Sequence, residues 1–480
     1  MSALDELSAV ELAAAIARRE VGAVEVTQQA LDRATELNDR IGAFITLTPE
    51  LALEQARAVE RAVAEADDRT QLPPLLGVPL PIKDLTQVAG VPMTAGSAAL
   101  RDFVPEEDDG IVTLLREAGT TMIGKTNTPE FGFPPYTEPD IAPPARNPWD
   151  LSRTAGGSSG GAGAAVAAGI TPIAHGSDGG GSIRIPAGAC GLVGLKPSRG
   201  RISPGPVGLD GPGLSTHGVL TRTVADTAAA LDVLARPRPG DTYFAPPPAM
   251  SFTEAARRSA EPLRIGVLTD PILAPDVVIH PEALAAVEKA VKLLQDMGHH
   301  LDAAPVPFTA EEWEAFPPMW ATIASMLPLT PEAEETLVPL TRWLREAGRE
   351  VSGVAYAEAV QGGQRLTRKA AHVWSDFDVI LNPTLATLPP EIGAMRNDDD
   401  PAADFRAQTE FTPWTSSMNI IGKAAISIPL HHARPDDDAP ELPFGVTLAS
   451  VAPGGEDVLI SLAADLERAA PWSHRRPHLL

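Results

Sequence analysis

The chain has little cysteine, few basic residues and no long apolar run. Cysteine occurs once in 480 residues, which excludes an internal disulfide framework and a zinc site built on several cysteines. Because no stretch of about 18 consecutive apolar residues occurs, no transmembrane helix is predicted. The first residues, MSALDELSAVE, are acidic and lack the basic start and apolar core of a secretory signal. We therefore expect a cytoplasmic protein.

The charge balance argues against two classes of partner. The chain has 38 basic and 63 acidic side chains, giving a formal net charge of −25. Nucleic acids and anionic membranes are bound by basic surfaces, so we expect neither as a partner. A chain of this length with 44% hydrophobic residues can bury a large core.

Short apolar segments alternate with helical ones along the chain. Ser8 and Glu11 have the spacing of a capping box and begin a predicted helical region of about 65 residues. The segments LRIGVLTD, FDVILNP and AAISIPL predict strands, whereas HPEALAAVEKAVKLLQDMG predicts an amphipathic helix that ends at a glycine. This alternation predicts a layered α/β fold around a mixed sheet.

Glycine is concentrated around two serines, Ser158 in GGSSGG and Ser182 in GGGSIR. A phosphate-binding loop is excluded because the P-loop motif is missing and Val166 stands where a dinucleotide fingerprint needs a small residue. Residues 156–160 match the G-x-S-x-G nucleophile elbow, but an elbow needs a strand before the serine. The preceding NPWDLSRTA is polar and does not resemble a strand. A G-x-S-x-G esterase-like hydrolase is therefore a weak alternative.

A further interpretation combines both serines with Lys83. A serine hydroxyl is a poor nucleophile until a base removes its proton, and a buried lysine with a lowered pKa can be that base. Lys83 follows apolar residues in GVPLPIKDL; the adjacent Asp84 should point to the opposite face of the strand. Ser182 would then attack a carbonyl while Ser158 relays the proton to Lys83. The amides of Gly179, Gly180 and Gly181 would stabilise the oxyanion.

The glycine-rich stretch also resembles a known family. SRTAGGSSGGAGAAVAAG and GSDGGGSIRIPAGACGLVGLKPSRGRIS closely resemble the signature of the amidase signature family of serine hydrolases. GVPLPIKDL and GKTNTPEFG upstream, with NIIGKAAISIPL and LPFGVTLAS downstream, look like further elements of that family. Within that family, these segments are most similar to those of bacterial aryl acylamidases, 6-aminohexanoate-cyclic-dimer hydrolases and urethanase-like amidases.

The resemblance implies one large α/β domain with a central mixed sheet covered by helices. It implies Ser182 as nucleophile, Ser158 as a serine that follows a cis peptide bond, Lys83 as base, and no metal or cofactor. Gly179, Gly180 and Gly181 fall on the oxyanion loop. The domain would span residues 1–480, with N-terminal helices over 1–65, the catalytic core over 75–225, a proline-rich loop or insertion over 236–262, and a part completing sheet and pocket over 263–480.

Several neighbouring residues have a structural interpretation beside a functional one. Ser159 either supports the catalytic network or caps a helix. Asp178 and Arg184 should form an ion pair that shapes the loop, while His175 and Cys190 are expected to be structural. Four tryptophans either line an acyl pocket or belong to the core: Trp320, Trp343, Trp374 and Trp414.

The predicted activity is hydrolysis of carbon–nitrogen bonds through an acyl-enzyme. The expected substrates are small-molecule aryl or alkyl amides, nylon-type oligomers or carbamates, handled by a monomer or homodimer. Two other functions stay open: the A-type component of a glutamyl-tRNA amidotransferase, which uses the same three residues, and a non-catalytic binding module that keeps the fold.

Overall fold

The N-terminal segment is helical, as predicted, with one short strand in it. A computed structural model describes residues 6–435 and 440–479. The elements of this segment are helices α1 (Ala9–Ala17), α2 (Ala23–Ile41) and α3 (Pro49–Glu65), with strand β1 (Phe44–Leu47) between α2 and α3 in the chain. The Ser8 hydroxyl accepts the amide proton of Glu11 at 3.2 Å, and the Glu11 carboxylate accepts the Ser8 amide proton at 2.9 Å. The predicted capping box is confirmed.

The central part of the chain alternates short strands with helices of small residues. Its elements are β2 (Ile82–Lys83), α4 (Gly110–Glu117), β3 (Gly124–Thr126), β4 (Arg146–Asn147), β5 (Asp150–Thr154), α5 (Gly160–Ala167), β6 (Ile173–Asp178), α6 (Arg184–Cys190), β7 (Val193–Lys196), β8 (Thr216–Thr221) and α7 (Val224–Leu234). Residues 236–262, all of them described, contain only the four-residue helix α8 (Phe252–Ala255).

The C-terminal part supplies the remaining strands and most of the longer helices. Its elements are β9 (Arg264–Val267), α9 (Pro281–Asp296), β10 (His300–Ala303), α10 (Phe316–Ser325), α11 (Pro331–Glu334), α12 (Pro339–Glu350), α13 (Gly353–Val373), β11 (Val379–Pro383), α14 (Pro401–Phe411), α15 (Thr415–Ile421), β12 (Ala425–Ala433), β13 (Leu442–Ser450) and α16 (Glu456–Ala469). The predicted strands at β9, β11 and β12 and the predicted helix α9 are confirmed.

These strands form one large mixed sheet. Within the described residues its order is β10-β9-β11-β13-β12-β7-β8-β6, eight strands in all. β10, β9 and β11 run parallel, whereas the pairs from β11 through β13, β12, β7 and β8 to β6 are antiparallel. Every residue of β13 is buried, as expected for a strand covered on both faces. The predicted single α/β domain with a central mixed sheet is confirmed.

Lys83 lies outside the large sheet but is held against its edge. β2 pairs in parallel with β3, which pairs with β1 in a separate three-stranded sheet. The carbonyl of Pro81 accepts the amide proton of His175 on β6 at 3.0 Å. Lys83 is therefore placed beside β6, the edge strand that leads into the second glycine cluster.

The segment before Ser158 differs from the sequence expectation. NPWDLSRTA contains β5, which pairs with β4 in a two-stranded antiparallel ribbon, so the expectation that it is no strand was wrong. Most residues of β5 are only partly buried, and a strand that covers no core needs no apolar run. Because this ribbon is separate from the large sheet, Ser158 does not follow a strand of that sheet, as the serine of an elbow does.

Asp84 points away from Lys83, as predicted, and forms a buried ion pair. Its carboxylate lies 3.0 Å from the Lys125 ammonium, and both side chains are fully buried. The same carboxylate accepts the amide proton of Thr94 at 3.0 Å, and Lys125 donates to the carbonyl of Thr86 at 2.9 Å. This pair anchors the chain that follows β2. In the part of the chain that the structure describes, no helix is long and apolar enough to cross a membrane.

Replacing Lys125 with Met should destabilise the fold strongly. The substitution leaves the Asp84 carboxylate buried without its counter-ion, which typically costs about 3–5 kcal/mol. Urea unfolding followed by circular dichroism measures the change. Arg18→Met removes an exposed partner of Glu20 and should leave the midpoint almost unchanged. Equal midpoints for the two variants would contradict the anchoring role of Lys125.

Candidate active site

Lys83 is the buried base candidate and it contacts Ser158 directly. Its ammonium donates to the Ser158 hydroxyl at 2.8 Å and to the Ser177 hydroxyl at 3.2 Å. Burial disfavours the charged form and lowers the pKa of Lys83 to about 7, although the nearby Asp178 carboxylate opposes the shift. A lysine with this pKa is partly neutral near pH 7 and can accept a proton.

Ser158 occupies a turn that only small residues can form. The peptide bond between Gly157 and Ser158 is cis, as the resemblance implies. A Cβ atom at Gly157 would lie 2.8 Å from the backbone nitrogen of Tyr136, and one at Gly161 would lie 2.3 Å from that of Asn127. The first glycine cluster therefore lets neighbouring backbone segments approach closely, and it seats Ser158 against Lys83.

Ser182 lies in the loop between β6 and α6 and faces a cavity. Its carbonyl accepts the amide proton of Ser159 at 3.2 Å, which ties the two glycine clusters together. Among the described residues its hydroxyl has no hydrogen-bond partner, and it is not bonded to the Ser158 hydroxyl. The structure thus joins Lys83 to Ser158 through side chains and brings Ser182 beside them through the backbone.

An ion pair shapes the loop that carries Ser182, as predicted. The Asp178 carboxylate accepts two hydrogen bonds from the Arg184 guanidinium, both at 2.9 Å, and one from the Asn419 amide at 2.9 Å. Burial alone would raise the pKa of the Asp178 carboxyl, but the Arg184 guanidinium holds it well below its usual range. The Asp178 carboxylate therefore stays ionised at neutral pH and keeps these hydrogen bonds.

The same carboxylate engages one of the three amides predicted as oxyanion donors. The amide of Gly181 donates to Asp178 at 2.8 Å, so that this N–H is already committed. Gly179 and Gly180 have amides without a partner among the described residues, and so does Ser182, which the sequence interpretation had not included. The free donors beside the Ser182 hydroxyl are these three amides.

Ser177 is a site residue that the sequence interpretation missed. It lies on β6 two positions after His175, so that strand alternation places both residues on one face. His175 Nδ1 accepts the amide proton of Lys83 at 3.3 Å, and the Ser177 hydroxyl contacts the Lys83 ammonium. This two-residue period was the signal that could have identified Ser177.

The side chain of Ser159 bonds to β6 and does not cap a helix. It stands at the N-cap position of α5 without a side-chain capping bond. Its hydroxyl donates to the carbonyl of Ser177 at 3.3 Å. The capping interpretation is therefore wrong, because the hydroxyl is bonded to the strand beside the helix.

His175 and Cys190 are buried structural groups, as expected. Since His175 Nδ1 accepts from an amide, its proton sits on Nε2, which bonds to Nδ1 of His217 at 3.1 Å. Burial lowers the pKa of His217 to about 4, so that the pair stays neutral. Burial raises the pKa of the Cys190 thiol, and such a thiol is a poor nucleophile. Within residues 6–435 and 440–479, no group of three or more His, Cys, Asp and Glu side chains is placed to hold a metal ion.

The cavity beside Ser182 has an aromatic wall. Trp320 lies edge-on to Phe133, with ring centroids 5.6 Å apart, and stacks on Phe316 at 5.4 Å. Trp313, which the sequence interpretation did not single out, continues the stack on Phe316 at 4.7 Å. Of the four tryptophans considered from the sequence, Trp320 lines the cavity. The other three pack elsewhere: Trp374 and Trp414 are buried in the core, and Trp343 lies against Phe405.

Comparisons with known proteins agree with this arrangement. The sequence profile of the amidase family matches residues 25–459. A 6-aminohexanoate-cyclic-dimer hydrolase of Paenarthrobacter ureafaciens is 36% identical over 436 residues, covering 85% of this chain and 86% of the relative. The A component of the glutamyl-tRNA(Gln) amidotransferase of Moorella thermoacetica is 32% identical, covering 98% of both chains.

Solved structures show the same fold over the whole chain. A 6-aminohexanoate cyclic dimer hydrolase complexed with substrate has a TM-score of 0.90 at 31% identity, covering 100% of both chains. A bacterial aryl acylamidase of the amidase signature family has a TM-score of 0.86 at 26% identity, covering 98% of both chains. The protein is therefore a hydrolase of the carbon–nitrogen bonds of small-molecule amides. The chain belongs to the amidase family, and the resemblance to the amidase signature is confirmed.

Two glycine substitutions in the loop should differ sharply in stability. At Gly181 the backbone φ is +134°, and a Cβ would lie 2.6 Å from both Ile185 Cδ1 and Thr415 Oγ1. Gly181→Ala should therefore cost about 1–3 kcal/mol from strain and crowding. At Gly180 the nearest atom to an added Cβ is Ser416 Cβ at 3.6 Å, an ordinary contact.

Gly180→Ala is thus the matched control, with an expected change within about 0.5 kcal/mol. Urea unfolding of both variants measures the difference. Equal destabilisation at the two positions would contradict this assignment of the loop geometry.

Proposed function

We propose that this chain hydrolyses amides through a triad of Ser182, Ser158 and Lys83 and an acyl-enzyme intermediate. One observation carries the proposal: a fully buried lysine with a lowered pKa lies 2.8 Å from the Ser158 hydroxyl. A lysine buried against a serine beside a cavity is the arrangement that serine activation without histidine requires. The free amides around Ser182 supply the second requirement, a place for the oxyanion.

The reaction proceeds in two halves. The substrate carbonyl oxygen accepts hydrogen bonds from the amides of Gly179, Gly180 and Ser182. The Ser182 oxygen attacks the carbonyl carbon while its proton passes to the Ser158 oxygen, and the Ser158 proton passes to the neutral Lys83 amine. The ammonium then returns a proton by the same path to the leaving nitrogen, the carbon–nitrogen bond breaks, and an ester with Ser182 remains. Water hydrolyses this ester by the same proton path, releasing the acid.

The lining of the cavity and the names of the relatives support a particular class of substrate. The aromatic wall of Trp313, Phe316 and Trp320 favours an apolar or aromatic acyl or amine group. Relatives named for 6-aminohexanoate cyclic dimers and for aryl amides support aryl or alkyl amides and nylon-type oligomers. Carbamates have the same carbonyl–nitrogen unit and are included. We propose a cytoplasmic monomer or homodimer without a nucleic-acid or membrane partner.

The geometry of the site argues against a G-x-S-x-G hydrolase. A G-x-S-x-G hydrolase needs a histidine that contacts its serine, and among the described residues no imidazole contacts the hydroxyl of Ser158 or of Ser182.

An amidotransferase component is the second candidate, because such a protein is 32% identical over almost the entire chain. Turnover of a 4-nitroanilide by the purified chain alone favours the amidohydrolase, whereas glutamine hydrolysis only with a partner favours the amidotransferase. A binding module would show no turnover at all.

Covalent labelling identifies the nucleophile. A fluorophosphonate should add once, at Ser182, because its hydroxyl is free and faces the cavity. Intact-mass and peptide-mapping spectrometry of the wild type and of Ser182→Ala measure this, and the variant should stay unlabelled. A label on Ser158 would support the elbow hydrolase, and a folded but unlabelled wild type would contradict acyl-enzyme catalysis.

The pH dependence of turnover tests the role of Lys83. A base acts only in its unprotonated form, so kcat/KM for an anilide should fall about tenfold per pH unit below the Lys83 pKa of about 7 and level off above it. Lys83→Met should abolish turnover.

Lys196 provides a matched control because it is also buried with a pKa lowered to about 7, and its ammonium donates to the Pro197 carbonyl. In Lys196→Met, kcat/KM should still fall below about pH 7 as it does in the wild type. A wild-type profile that is flat between about pH 5 and pH 9 would rule out Lys83 as the base.

A further inference from the structure

Gln408 is a buried amide at the wall of the cavity that holds Ser182. It lies on α14, one turn after Asp404, and its Nε2 donates to Asp404 Oδ1 at 2.7 Å. The other oxygen, Asp404 Oδ2, accepts the hydroxyl proton of Tyr136 at 2.6 Å and the amide proton of Asn397 at 3.1 Å. Asp404 is thus buried and surrounded by donors.

This surrounding determines which way the Gln408 amide is turned. An ionised carboxylate only accepts hydrogen bonds, so that Gln408 must direct its amino group toward Asp404. Burial and the Asp404 charge raise the pKa of the Tyr136 phenol, which therefore stays protonated and continues to donate. The carbonyl oxygen of Gln408, Oε1, is turned away from Asp404.

Oε1 is a hydrogen-bond acceptor that the cavity offers to a ligand. It has no partner among the described residues, yet it is not enclosed, and Gln408 lines the cavity together with Gly180 and Ser182. The neighbouring Thr412 hydroxyl donates to the Gln408 backbone carbonyl at 2.9 Å, so it is not a donor to Oε1. A ligand that covers Oε1 without a donor would leave a desolvated acceptor unpaired.

The cavity also discriminates by charge. Of the described residues that line it, none is acidic, basic or a histidine. A carboxylate or ammonium on the substrate would be desolvated there without a counter-ion, which is costly. The wall therefore suits an uncharged ligand with at least one N–H donor.

We propose that Gln408 is a specificity-determining residue, whose Oε1 accepts the N–H of the scissile group in uncharged secondary amides and carbamates. This inference rests on the proposed function, because it assumes that Ser182 attacks a carbonyl in this cavity. Asp404 is a positioning residue that acts through Gln408. An ester of the same shape has no N–H, so that it gains nothing from Gln408.

The test compares an anilide with its isosteric ester. Substrates are 4-nitroacetanilide and 4-nitrophenyl acetate, which share their acyl and aryl groups, and kcat/KM is measured for both. Gln408→Met keeps the length of the side chain and removes the acceptor. The anilide-to-ester ratio should fall about ten- to hundredfold, with ester turnover changed less than about threefold. Asp404→Asn should lower the same ratio, because an asparagine amide can donate to Oε1 and lets Gln408 turn.

Gln364→Met is the control, because it makes the same substitution at an exposed glutamine of α13 that does not line the cavity. The ratio should stay within about twofold of the wild type. Circular dichroism measures whether each variant is folded. If Gln408→Met does not fold, the ratio measured for Asp404→Asn tests the proposal instead.

The outcomes separate the two proposals. A ratio that stays constant while both rates fall would overturn the specificity role and leave the Ser182 chemistry intact. The specificity role would also be overturned if the wild type cleaves the ester and Gln408→Met has the same anilide-to-ester ratio as the wild type. Failure of the wild type to cleave either substrate, together with no fluorophosphonate label on Ser182, would overturn the proposed function itself.

Discussion

The arrangement of this site depends on a lysine whose side chain is fully buried. An ammonium group in a protein interior is unstable unless it is paired, and Lys83 has hydroxyl and carbonyl oxygens around it rather than a carboxylate in direct contact. The carboxylate of Asp178, which favours the charged form of Lys83, is engaged with Arg184. Burial therefore lowers the pKa of Lys83 to about 7, which suits the proposed role of this lysine as a base.

Two buried ion pairs allow this to happen, and both act in the same sense. Asp84 is adjacent to Lys83 in the chain, yet it is neutralised by Lys125 on the neighbouring strand. Asp178 is neutralised by Arg184 and tied to Asn419. Were either carboxylate free to contact Lys83, it would stabilise the ammonium and remove the base. The ion pairs thus hold backbone in place and also keep negative charge away from the lysine amine.

The proposed catalytic groups and most of the cavity wall come from different parts of the chain. The hydroxyls, the lysine and the free amides belong to residues 83–182, whereas most of the aromatic wall and Gln408 come from α10, α14 and the segment before α10. Asn419 on α15 links the two parts, because its side chain bonds to Asp178 and Arg184 at the base of the Ser182 loop. The C-terminal half can therefore change the pocket without altering the catalytic loop, provided that this link is kept.

The sequence by itself determined the local features of this protein. The capping box at Ser8, helix α9 and the strands with apolar runs were predicted and are confirmed, and the catalytic assignment of Ser158, Ser182 and Lys83 is a prediction from the glycine-rich motifs. Each depends on residues close together in the chain or on a motif with fixed spacing. The alternation along β6 would also have identified Ser177, since one strand face carries both contacts to Lys83.

Only the tertiary structure decided what depends on distant partners. Asn419 reaches Asp178 across 241 residues and Asp404 reaches Tyr136 across 268, so no local pattern indicates either contact. The commitment of the Gly181 amide to Asp178 and the strand at Asp150–Thr154 were likewise invisible, because one depends on side-chain direction and the other on pairing without burial. Hydrogen-bond partners and the direction of an amide are set by packing, and packing brings together residues whose separation in the sequence carries no information about their contact.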